Sequence, residues 1–117
     1  MWLPDTNVWI KVMNPQHSPI KQSFHQHHPS KLYLCDVVLA ELYYGAFKSQ
    51  RPVSNVALID SLPQQFPALG FDVQAAKMFG EIRAELERKG LLIGAYDMQI
   101  AAIALANSCI LVTHNTR

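Results

Sequence analysis

At 117 residues, half of them hydrophobic and 16% charged, the chain is too apolar for a disordered protein and too interrupted for a membrane span, which leaves a soluble globular fold. Its formal net charge of +1, ten Lys and Arg against nine Asp and Glu, offers no global attraction for a polyanion, so any contact with nucleic acid has to be local. The length suits a single domain, residues 1–117, able to bury roughly two thirds of the surface its unfolded chain exposes.

The opening MWLPDTNVWIKVM has no basic stretch leading into an apolar run, and Pro4 and Asp5 come early, so no secretory leader and a cytoplasmic location are expected. Met1 to Leu3 predicts a short strand, ended by the polar turn at Asp5, and Thr6 to Met13 a first helix. Residues 14–30 are rich in Gln, His, Ser and Pro and predict a loop with one short exposed helix. LYLC at 32–35 suits a buried strand, after which Asp36 is placed to cap a helix running to about Ser49, with Val38, Leu42 and Gly45 on one face and Leu39, Tyr43 and Ala46 on the next.

Pro52 and Ser54 open a further helix expected to end before Pro63, and Ala68 to Phe71 a brief strand. Asp72 then caps a helix whose apolar residues recur at Ala76, Phe79, Ile82 and Leu86, with Glu85 and Lys89 on its outer face and Gly90 ending it. Gly94 and Asp97 introduce the nearly all-apolar MQIAAIALA, and Cys109 to Val112 predicts a last strand buried on both faces. Strands alternating with helices imply a parallel α/β sheet. Cys35 and Cys109 lie in apolar surroundings and are expected to be buried thiols without chemistry.

The chemistry lies in the placement of the acids. Asp60, Asp72, Glu81, Glu85 and Glu87 have polar neighbours and suit solvated faces. Asp5, Glu41 and Asp97 are set in apolar sequence, where burial of a carboxylate is costly unless it is paired or holds a metal. In a parallel α/β fold, a strand end and the first turns of later helices meet along one sheet edge, so these acids are expected to share a site. Oxygen-only ligands select Mg²⁺ or Mn²⁺ over zinc, and such an ion activates water against a phosphodiester.

The segments LPDTNVWI, VVLAELYYGA and IGAYDMQIAAIALA, followed by ILVTHNT, resemble the ordered motifs of PIN-domain ribonucleases, and most of all the VapC-type toxins of bacterial toxin–antitoxin pairs. The resemblance spans nearly the whole chain. It implies a PIN-like, Rossmann-like three-layer fold around a central parallel sheet, Mg²⁺- or Mn²⁺-dependent endonuclease action on RNA, a homodimer, and inhibition by a cognate antitoxin. It makes Asp5, Glu41 and Asp97 the metal-binding catalytic acids. Thr6, Asn7, Thr113 and Asn115 become contacts to phosphate or, through water, to the metal, with Thr6 and Asn7 also steadying Asp5. Asn115 stands where many members carry an acid, and an amide there adds no charge.

Members of that family usually continue past the position of Arg117 into a last helix and strand, so a sheet edge is expected to be missing, and the alternative function is a truncated module that dimerises or binds an antitoxin. A phosphatase-type enzyme with Asp5 as nucleophile would want a second Asp where Asn7 stands. Plain structural roles compete for each acid: a helix cap for Asp97, a turn former for Asp5, a solvated helix face for Glu41. His25, His27 and His28 lack the spacing of a metal site and suit a solvated face. Tyr43 and Tyr44 suit core or dimer contacts.

Overall fold

Strand β1 (Trp2–Pro4) lies inside a parallel sheet in the computed structural model of the protein, which describes residues 1–14 and 19–113. On one side it pairs with β4 (Ile110–Val112) in the register Trp2–Ile110, Leu3–Leu111, Pro4–Val112. On the other, a bridge from Trp2 to Leu32 and a 2.9 Å hydrogen bond from the Tyr33 N–H to the Trp2 carbonyl lead to β2 (Leu34–Cys35), which pairs with β3 (Ala68–Leu69). The strand order is therefore β3-β2-β1-β4, with helices in every crossover, as parallel pairing demands. Pro4 has no N–H to give to a neighbour, whereas Asp5 resumes the ladder toward β4 with a 2.8 Å bond to the Val112 carbonyl.

The crossovers hold α1 (Thr6–Met13) and α2 (Pro19–His25), then α3 (Asp36–Phe47) and α4 (Pro52–Gln65), then α5 (Val73–Arg88) and α6 (Ala95–Ala106). Side chains from the sheet and from α1, α3 and α6 make the core, where Leu3, Trp9, Leu34, Val38 and Ile103 are fully buried. No helix is long and apolar enough to cross a membrane among the described residues. At the end of α5, Gly90 adopts φ +70°, and the Gly90 and Leu91 N–H groups close back on the Glu87 and Leu86 carbonyls, the arrangement in which a left-handed glycine terminates a helix. Asp72 caps the other end of α5, accepting from the Ala75 N–H at 2.9 Å.

Several local expectations are corrected. Helix α2 is not merely exposed, because Phe24 packs against both Trp9 and Phe66 with ring centroids 5.1 and 5.8 Å away. Helix α4 runs through Pro63 to Gln65: the proline forfeits one N–H bond, to the Ile59 carbonyl, but the helix continues past it and the Phe66 N–H still reaches the Leu62 carbonyl. Along α5 the inner face runs through Phe79, Ile82 and Leu86 as the apolar spacing suggested, but in its first turn the buried residue is Ala75 and Ala76 is exposed. Strand β4 is not buried on both faces, since Ile110 is 55% exposed on what is an edge strand among the described residues. The stretch 15–18 and Asn115 lie outside the described residues.

Candidate functional site

Asp5 ends β1 and starts α1. Its carboxylate accepts from the Val8 N–H at 3.0 Å, so the side chain caps the helix and its position is set by the strand end and the first helical turn together. Thr6 follows as the first residue of α1, and its hydroxyl donates to Glu41 Oε1 on α3 at 2.6 Å. That bond spans 35 positions of sequence and joins the helix that follows β1 to the helix that follows β2. Thr6 was expected to steady Asp5 or touch phosphate, yet its proton is committed to Glu41.

Glu41 is half-buried and points neither into the core nor freely to solvent. It borders an open cavity of about 510 Å³ walled by Ile10, Met13, Leu42, Leu58 and Ile59 from α1, α3 and α4. Asp97 stands in the first turn of α6, where Gly94 is the N-cap and no side-chain cap bond forms, so the capping role is not the one it plays. The turn that sends the Cys109 N–H to the Ala104 carbonyl brings the end of α6 to the start of β4. The beginning of α6 therefore points toward the end of the sheet occupied by Asp5 and Thr113, as expected for a site built on strand ends.

The acids are less buried than their apolar sequence settings suggested. Asp97 is exposed, Asp5 and Glu41 are half-buried, and no charged residue is fully buried among the described residues. The helix N-terminus explains Asp97: its whole first turn, Ala95 to Asp97, stays in water, and the helix turns inward only from Met98 and Ile100 onward. Among the described residues no set of three His, Cys, Asp or Glu side chains is gathered tightly enough to hold a metal by itself.

The donor chemistry fits a hard divalent cation. Every nominated ligand is a carboxylate oxygen, and the ion pairs among the described residues engage only Glu85 and Glu87, so neither Glu41 nor Asp97 is neutralised by Lys or Arg. Asn7 and Thr113 are exposed at this same end of the molecule. Sequence reasoning read Asp36 as the cap of the helix it opens, which the structure corrects. It is the first residue of α3, not its cap, which is Cys35, and its carboxylate accepts from the Phe71 N–H at 3.0 Å, tying the start of α3 to the turn before α5. The signal available in sequence, an acid opening a helix, could not distinguish a cap from a bond to a residue 35 positions away.

The remaining singled-out residues serve structure. The Tyr43 hydroxyl donates to Asp60 at 2.5 Å, linking α3 to α4, and Tyr44 is exposed with the Lys48 ammonium 4.7 Å from its ring. His28 accepts from the Ser30 N–H through Nδ1, and His27 stands edge-on to Trp2 with centroids 5.2 Å apart. Cys35 is fully buried and Cys109 half-buried, both unpaired. Burial pushes the Cys35 thiol up to about 11, against an ordinary 9.0. The unfolded chain ionises first, so Cys35 should weaken the fold as pH rises from about 9 toward about 11 and be neutral below that window. At pH 8 we expect the folded protein to protect Cys35 from iodoacetamide until denaturant is added. Mass spectrometry of the alkylated peptides checks this, and rapid native labelling would contradict the burial.

The PIN domain family matches residues 2–117 of the chain. Among individual proteins, the chain is similar to the tRNA(fMet)-specific endonuclease VapC of Shigella flexneri, 38% identical over 113 residues that cover 97% of this chain and 85% of that one. It is equally similar to Ribonuclease VapC2 of Haemophilus influenzae, 38% identical over 116 residues, covering 99% of this chain and 87% of the relative. Among solved structures, DNA-bound VapBC from Salmonella typhimurium matches with a TM-score of 0.89 at 36% identity, over 99% of this chain and 87% of that one. VapBC2 from Rickettsia felis, bound to a fragment of its promoter DNA, matches with a TM-score of 0.88 at 30% identity, over 99% and 88%.

Proposed function

Because the chain belongs to the PIN-domain family, among the VapC ribonucleases, we propose that it is a metal-dependent endoribonuclease that hydrolyses RNA phosphodiester bonds as the toxin of a toxin–antitoxin pair. The observation that carries the site is the Asp5–Thr6–Glu41 link, in which one turn of α1 orders one acid through a backbone cap and the second through a hydroxyl. Asp5, Glu41 and Asp97 would hold Mg²⁺ or Mn²⁺, which when bound lowers the pKa of water and offsets charge on the phosphate. Asp5 contributes a carboxylate already fixed in direction, Glu41 an oxygen not taken up by Thr6, and Asp97 an exposed carboxylate at a helix start. Asn7 and Thr113, exposed beside them, suit contacts to the RNA backbone, and Asn115 is proposed for the same role.

The test is cleavage of tRNA and of a long unstructured RNA by the purified chain in Mg²⁺, Mn²⁺ or EDTA. Cutting only with metal supports the proposal. A folded protein that cuts neither RNA would favour the binding-module alternative.

A cognate antitoxin is the proposed partner, in line with the VapBC complexes among the structural neighbours. The cavity between α1, α3 and α4 suits it: apolar walls offer burial, and Glu41 on the rim gives an occupant a route to block a catalytic acid. Leu58, 56% exposed on that wall, can be changed without opening the core. We expect Leu58→Glu to weaken antitoxin binding by about tenfold or more, measured by calorimetry, and an unchanged affinity would place the antitoxin elsewhere. The proposal also holds the chain to be one domain, cytoplasmic and a homodimer, with exposed Tyr44, Phe47 and Leu92 as apolar surface for a second copy to cover.

A further inference from the structure

Resting on the metal-dependent reading above, we propose that Thr6 is a positioning residue that acts through Glu41 and not on the substrate. Its hydroxyl has a single proton, and the 2.6 Å contact places that proton on Glu41 Oε1, within the short range of hydrogen bonds to carboxylates. A glutamate in the middle of a helix has several rotatable bonds and would otherwise sample many rotamers. Here one oxygen is held from a neighbouring helix, and Oε2 is left without a protein partner among the described residues.

The tether is stiff at its Thr6 end. Thr6 is β-branched, with a restricted first torsion, and it sits in the helical turn that Asp5 caps through the Val8 N–H. A single turn of α1 therefore sets the direction of two acids that come from different crossovers of the sheet. The pair is also where the helix α1 meets α3 beside the rim of the large cavity, so loss of the tether frees Glu41 to swing toward that open space. Asn7, exposed one residue later, is left as the side chain of this turn that faces outward to RNA.

The experiment measures Mn²⁺ binding to the RNA-free protein by calorimetry for wild type, Thr6→Val, Thr6→Ala and Thr6→Ser, with melting curves of each metal-free chain as the folding control. Thr6→Val keeps shape and removes the proton, and should weaken Mn²⁺ binding by about tenfold or more, the size expected when a ligand loses its orienting partner. Thr6→Ser keeps the proton and should stay within about threefold of wild type. Thr6→Ala repeats the removal should the Val variant fail to fold. Wild-type affinity in Thr6→Val or Thr6→Ala, or an equal loss in Thr6→Ser, would overturn the positioning role alone. A wild-type protein that binds no Mn²⁺ would overturn the metal reading and this inference with it.

Discussion

Asp5→Asn is expected to lower metal-supported RNA cleavage by roughly 10²–10³-fold, the scale on which removal of one preorganised charge-stabilising group acts. The substitution is selective for function. Asn retains a side-chain oxygen able to accept from the Val8 N–H, and Asn and Asp are near-equal helix caps, so α1 and its 3.0 Å cap bond should persist. What disappears is a negative charge at the end of β1, beside the strand carbonyl of Val112 and one residue from the Thr6–Glu41 bond. Wild type and variant are compared on the same RNA with Mg²⁺, Mn²⁺ or EDTA. Residual cutting of equal size in the variant would point to a contaminating nuclease or to a site that does not use Asp5, and either result would remove the central acid from the proposal.

The largest loss of stability is expected at Trp9. Its side chain is fully buried between Phe24 and Phe66, edge-on to each with centroids 5.1 and 5.0 Å away, so Trp9→Ala should cost about 3–5 kcal/mol, a large part of the roughly 5–15 kcal/mol that holds a domain of this kind folded. Trp9→Phe should cost far less. The indole Nε1 is buried with no hydrogen-bond partner among the described residues, so its removal takes away an unsatisfied donor along with part of the ring. Urea unfolding followed by circular dichroism measures both. A Trp9→Ala loss below about 1 kcal/mol would mean that α2 and the Phe66 turn are not packed as described. Because α1 also carries Thr6 and follows Asp5, Trp9→Ala is expected to reduce cleavage as well, through the site's scaffold and not its chemistry.

Much of the architecture was legible in the chain itself. Glycine and aspartate marked helix ends through local backbone chemistry: Asp72 caps α5 and Gly90 ends it with positive φ, as their positions in the sequence predicted. The alternation of apolar strands with helices likewise predicted parallel pairing, and the order of Asp5, Glu41 and Asp97 within their motifs pointed to the family. Pro63 misled because a proline removes only its own bond to the preceding turn, and here the residues after it still close the helix, with the Phe66 N–H on the Leu62 carbonyl. Asp97 misled in burial because an apolar window says how a helix packs on average and not whether its first turn faces water.

Periodicity, capping and composition act over a few residues, and those the sequence by itself determined: where α5 begins and ends, that the sheet is parallel, and which acids are candidates. Tertiary structure alone decided the partners of side chains far apart in the chain. The Thr6 hydroxyl went to Glu41 and not to Asp5, Asp36 reached the Phe71 N–H instead of capping its own helix, and Phe24 left an otherwise polar segment to join the core. Each of these depends on the position of one crossover relative to another, a distance set by packing of the whole core and encoded in no local window.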